Sequence, residues 1–180
     1  MSTKFAYEGY GQLELNNVAF RRDGRIEAQC ALSTADFSDE APAENGMLLA
    51  VDKANNVVKL PVDGSLPIAL NYTTEHMYDE RHPGLKNFKL APSDGFYPRL
   101  GYLSIGDTYT TNCLCYDFES ADALETALKA AGETAVYGGA DASGRTCLSA
   151  TKPAYGPVLK VVKYYTMPDG QKAVKLQVIG

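Results

Sequence analysis

Few residues in this chain combine the type and the spacing that chemistry needs. His76 and His82, its two histidines, sit in an acidic stretch with Glu75, Asp79 and Glu80. Imidazoles beside carboxylates are the makings of a metal site or an acid–base pair. Their spacing fits no standard ligand pattern and the stretch lacks helical periodicity, so a solvated loop is expected. Ser149-Ala-Thr-Lys152 matches Ser-x-x-Lys, a motif that uses a helix to carry the lysine one turn beyond a nucleophilic serine. Pro153 follows at once and denies the pair that helix. Cys113-Leu-Cys115 has the spacing of neither a redox Cys-x-x-Cys nor a zinc knuckle. Gly138 to Gly144 is glycine-rich, but it lacks the lysine and the strand–loop–helix setting of a phosphate loop. No catalytic residue, metal site or cofactor is expected, and the chain reads as a non-enzyme.

The aromatic residues point elsewhere. Twelve tyrosines and no tryptophan give many large contact surfaces with polar tips. Part of the set belongs to ordinary strands, with hydroxyls at the rim. Those in arms and loops, with nearby apolar residues, form the candidate partner interface: Phe5, Tyr7, Tyr10, Met77, Tyr78, Phe88 and Tyr97.

Bulk properties narrow the classes. A chain of 180 residues suits one domain, or one with a small appendage. With 45% hydrophobic and 22% charged residues it can fill a core. The net charge of −5 argues against a nucleic-acid partner, since the densest basic cluster, Arg21, Arg22 and Arg25, has Asp23 inside it. No apolar run approaches the length of a membrane span, and the first residues lack the apolar region of a secretory signal. Cys30, Cys113, Cys115 and Cys147 are sparse for a disulfide scaffold and are expected to be reduced thiols, with a Cys30–Cys147 bridge left open.

The elements that must position these residues are mainly strands. Residues 1–12 read as an extended arm. Leu13 to Phe20 and Ile26 to Leu32 flank Asp23-Gly24, the chemistry of a type I′ hairpin turn. Residues 33–45 read as an exposed acidic loop. Gly46 to Val51 and Val57 to Leu60 form a second hairpin, followed by a short run from Pro67 to Tyr72. Residues 73–95 form a long loop of the kind that serves partners. The stretch from Tyr97 to Phe118 holds two strand-like runs around Ile105-Gly106-Asp107, and reads as a central hairpin. Cys113 and Cys115, two apart in the second run, should point to opposite faces. Ala123, Leu124, Ala127, Leu128 and Ala131 recur at helical spacing, with Ser120 as N-cap and Gly132 just past the end. Thr134 to Tyr137 reads as a short strand and Gly138 to Gly144 as a flexible loop. Val158 to Tyr165 and Ala173 to Ile179 flank Met167-Pro-Asp-Gly-Gln171 as a last hairpin with one wet face. The fold class is therefore mainly β, of α+β type: an antiparallel β-sandwich or barrel of short strands with one α-helix near 120–131 and long loops. The domain division is an arm, 1–12, and one β-rich domain, 13–180, with partner-binding loops 33–45 and 73–95.

Gly46-Met-Leu-Leu-Ala-Val-Asp with the returning Asn56-Val-Val-Lys-Leu-Pro resembles the glycine-led hairpin of phage head decoration proteins. Tyr97-Pro-Arg-Leu, Gly106-Asp-Thr-Tyr-Thr-Thr-Asn and the closing Lys163-Tyr-Tyr-Thr-Met-Pro-Asp-Gly-Gln resemble small virion structural proteins of tailed phages. The resemblance implies a non-enzymatic virion protein, made in the host cytoplasm, that oligomerises, binds the major capsid protein and stabilises the head. Helix 120–131 and loop 73–95 match no decoration pattern. A tail-tube or head–tail connector component, and a small β-barrel module for carbohydrate or another ligand, are the alternatives.

Overall fold

The computed structural model describes residues 3–4, 11–73, 89–130, 135–167 and 170–180. The fold is mainly β with one substantial helix, as the strand patterning predicts. Its largest sheet contains β1 (Thr3–Lys4), β2 (Leu13–Asn17), β11 (Thr108–Thr111), β12 (Leu114–Tyr116), β13 (Tyr137–Ala140), β14 (Thr146–Ser149), β15 (Leu159–Thr166) and β16 (Lys172–Val178). Their order is β1-β12-β14-β13-β15-β16-β11-β2. A second sheet runs β3 (Ile26–Glu27), β10 (Leu100–Gly101), β8 (Ile68–Asn71), β6 (Leu48–Asp52), β7 (Val57–Lys59), β4 (Ala31–Leu32). A small ladder pairs β5 (Ala43–Glu44) with β9 (Lys89–Leu90). The sheets are not wholly antiparallel, because β12 runs parallel to β14 and β4 parallel to β7.

The large sheet is forced to roll. Only Asn112 and Cys113 separate β11 from β12, yet five strand spacings lie between them in the sheet. Flat, that separation is about 24 Å at the usual spacing. The three residue steps from Thr111 to Leu114 reach about 11 Å at most. The sheet therefore curls until its two ends meet at Asn112–Cys113. The approach to β2 is tied there: Gln12 N donates to Asn112 Oδ1 (2.6 Å), and Asn112 N donates to Gln12 O (3.3 Å).

Strand alternation makes two cores. From β6 and β8, Leu48 and Leu70 point into the rolled sheet, beside Tyr109, Leu114, Leu148, Leu159 and Leu176. Their neighbours Leu49, Val51 and Ala69 point the other way, onto Cys30, Leu32, Phe37 and Leu90. The second sheet is thus buried on both faces, which accounts for the unbroken apolar run of β6. Helix α2 (Ala121–Lys129) buries Leu124 and Leu128 and packs on β15. Ser120 caps it by accepting from Ala123 N at 3.1 Å, as predicted. Gly132 lies outside the described residues. In the β15–β16 hairpin the register slips between Val161 and Lys163, so Val162 is an extra, bulged residue and stands exposed.

Several local expectations are overturned. Residues 13–32 are not a hairpin: β2 joins the large sheet and β3 the second one. Between them Phe20–Asp23 forms a helical turn (α1), closed by Gly24 at φ 70°. Burial of Phe20 decides this. The ring is fully enclosed, 4.7 Å from the Tyr72 ring and against Gly101, which a strand continuing past Asn17 would not allow. Tyr97 to Phe118 is not a hairpin either, since β10 belongs to the second sheet and β11 to the large one. Gly106 does make a turn (φ 96°), but one that carries the chain between sheets. Gly138 to Ala140 are strand rather than loop, because Gly138 and Gly139 allow Thr146 and Pro153 to pack where side chains would stand. Thr3–Lys4 is a paired edge strand, not a free arm. The 33–45 loop is anchored by buried Phe37, Ala43 and Glu44 and is not wholly exposed.

Two predictions follow from this frame's tightest points. A Cβ on Gly11 would stand 2.9 Å from the Cys113 backbone, and one on Gly46 (φ 90°) 2.9 Å from Cys113 Cβ. Gly11→Ala and Gly46→Ala should each cost about 2–3 kcal/mol in urea unfolding, whereas Gly95→Ala, at φ 70° but in open space, should cost about 1 kcal/mol for the left-handed backbone alone. Asp52 accepts from Asn55 N, Asn55 Nδ2 (2.8 Å) and Lys59 Nζ (2.7 Å), locking the β6–β7 turn. These bonds lower its pKa to about 2, Lys59 first. A carboxyl depressed in the folded state stabilises above its unfolded value near 4 and loses that contribution as pH falls towards 2. Asp52→Asn should flatten the acid limb of the stability profile between about pH 4 and pH 2, measured by denaturant titration.

Candidate functional site

Among the described residues the sequence motifs do not come together. Ser149 Oγ accepts from Thr151 N (3.1 Å), and Lys152 Nζ lies over the Tyr137 ring, 5.8 Å from its centroid. The Cys-x-Cys pair is split by the kink between β11 and β12. Cys113 faces the second core near Glu44, and Cys115 is the cross-strand partner of Cys147. Cys30 is buried in the second core and its thiol is free, so no Cys30–Cys147 bridge exists. His76 and His82 lie outside the described residues. So do Phe5, Tyr7, Tyr10, Met77, Tyr78 and Phe88 of the candidate interface. Tyr97 is exposed (55%), next to exposed Phe96. Other tyrosines serve the frame: Tyr165 donates to Thr110 Oγ1 (2.9 Å) and Tyr155 to Pro61 O (2.9 Å).

One charged centre went unseen in the sequence. Glu44, on β5, is buried. Its carboxylate accepts from Gly11 N (2.7 Å) and pairs with Arg145 Nη2 (3.3 Å), and Cys113 Sγ lies 3.8 Å away. Its carbonyl accepts from Asn71 Nδ2 (2.9 Å). Above it opens a cleft of about 320 Å³ with Asp36, Asp39 and Glu40 on its rim. The carboxylate is committed to three structural partners, so its geometry is that of a fastening.

A second depression has a different character. The β7–β8, β10–β11 and β14–β15 connections meet the end of β16 around a groove of about 380 Å³. Leu66, Pro67, Ile68, Leu103, Ile105 and Pro157 line it, with Val178 at the base. These side chains are apolar and carry no acid, base or nucleophile, so what they offer is apolar contact surface. It is stiff. Asp107, itself buried, accepts from Ser104 N (3.0 Å) and Ala19 N (3.1 Å), and Gly106 N donates to Val178 O (2.9 Å). That turn holds Ile105 out at 76% exposure. On the far wall Gly156 (φ 73°) lets the chain pass close to Ile68. An isoleucine at the tip of a Gly-Asp turn, where polar residues are usual, was the available signal in the sequence.

No protein-family model, no curated protein and no solved structure matches the chain.

If Glu44 is a fastening, Glu44→Ala strands Arg145 and the Gly11 amide. Loss of one partner of a buried pair should cost on the order of 3 kcal/mol in urea unfolding, with Glu44→Gln costing less because it keeps an acceptor.

Proposed function

We propose that the protein is a non-enzymatic structural component of a virion that binds the capsid lattice through the apolar groove around Ile105. The observation that carries this reading is the groove itself: a rigid, exposed apolar surface whose side chains have no acid–base or nucleophilic capacity. Single exposed apolar residues are common, but several converging from three loops and a strand end mark an interaction surface. The acidic chain disfavours a face turned towards packaged DNA. The kind of assembly is suggested by the resemblance of the Gly46-led hairpin to that of phage head decoration proteins, and of the closing hairpin to small virion structural proteins of tailed phages.

The test is to mix the purified protein with capsids lacking it and to image the product by electron microscopy. The expected result is stoichiometric density at a repeating lattice site. Ile105→Asp should abolish it while leaving the unfolding curve within about 0.5 kcal/mol, as for other exposed positions. Absence of lattice binding, or stacked rings formed by the protein alone, would overturn the decoration reading.

A further inference from the structure

Three ligand-type side chains converge at a place unconnected with the groove. Parallel pairing of β12 and β14 sets Cys115 opposite Cys147, with both thiols on one face of the sheet. The next strand, β13, sets Gly139 opposite Cys147. Gly139 has no side chain, and Pro153 packs where one would stand. Asp141 follows directly on the end of β13. The two Sγ atoms and an Asp141 carboxylate oxygen all lie within 4.8 Å of one another.

We propose that Cys115, Cys147 and Asp141 form a binding site for a thiophilic divalent cation, with zinc the best fit to the donor set. Two thiolates and a carboxylate are a zinc combination, and tetrahedral zinc–sulfur bonds near 2.3 Å put two sulfurs about 3.8 Å apart. Reaching that geometry from separations of at most 4.8 Å asks for side-chain movements of about 1 Å or less. The carboxylate is already oriented, because Asp141 Oδ2 accepts from Ser143 N at 3.0 Å. Ser143 Oγ, 3.9 Å from Cys115 Sγ, stands on the side where a fourth ligand, hydroxyl or water, completes the set. Cys115 is buried while Cys147 and Asp141 are half-buried, so solvent reaches the site from one side.

The inference stands apart from the capsid reading, since none of its residues lines the apolar groove.

Cobalt(II) is the probe, added to the full reduced chain under inert atmosphere and followed by absorption. One equivalent should bind with thiolate-to-cobalt charge-transfer bands and tetrahedral ligand-field bands, and zinc should displace it. Cys147→Ser, at a half-buried position, should remove most of the charge-transfer intensity and weaken zinc at least tenfold. Asp141→Asn should weaken zinc by a similar factor with the charge-transfer bands retained. Urea unfolding of each variant without metal establishes that it folds, and zinc should raise the unfolding midpoint of the parent but not of folded Cys147→Ser. No cobalt binding to the reduced parent overturns the proposal, as does binding with unchanged bands in Cys147→Ser. A Cys115–Cys147 disulfide forming on oxidation, with no metal bound by the reduced form, also overturns it.

Discussion

The constraint on which the structure turns is the burial of one carboxylate. Glu44 sits where three parts of the chain meet: the small β5–β9 ladder, the second sheet and the kink between β11 and β12. An ionised carboxylate in such a place is tolerated only when charge and lone pairs are met. Arg145 meets the charge and the Gly11 amide meets a lone pair, from positions 101 and 33 residues away in sequence. Neither partner can shift without stranding the other. The contact therefore holds the β13–β14 turn, the approach to β2 and the edge of the second sheet in one relation.

Closure of the rolled sheet depends on the same spot. Backbone at Gly11 and Gly46 passes so near Cys113 that a side chain at either would collide with it. Small residues at the seam allow the close approach, and hydrogen bonds among Gln12, Asn112 and Thr111 replace the ladder that the kink interrupts. A kink of two residues joining strands five positions apart also makes much of the folding problem non-local. The β11–β12 corner gains its contacts only once β13 to β16 have filled the sheet between them.

This explains which parts of the fold the sequence discloses. The β6–β7 and β15–β16 hairpins and helix α2 are legible because each is local: alternation, a turn and a cap within about twenty residues. Asp23-Gly24 and Gly106-Asp107 carry equally good turn chemistry, and both do turn the chain. They turn it between sheets, because Phe20 is drawn against Tyr72 and Gly101 and because Asp107 is held by Ala19 and Arg25. Turn residues specify a reversal of direction and leave the choice of partner strand to burial. The candidate sites followed the same rule. Ser149 and Lys152, near in sequence, engage different partners, whereas Cys115 and Cys147 are brought together by strand pairing, and Glu44 and Arg145 by the packing of a turn on a short strand.

The two charged clusters are not independent of each other. Residues 141–145 form one tight turn, closed by Gly144 N donating to Asp141 O at 2.8 Å, with Gly144 at φ 78°. Its first residue faces the two thiols and its last reaches Glu44. Gly144 O also accepts from Leu48 N (2.7 Å), which pins the turn to the start of β6. The cleft above Glu44 and the thiol pair therefore share one turn, which contributes Ser143 and Arg145 to the first and Asp141 to the second. The apolar groove is braced separately, through Asp107 and the end of β16.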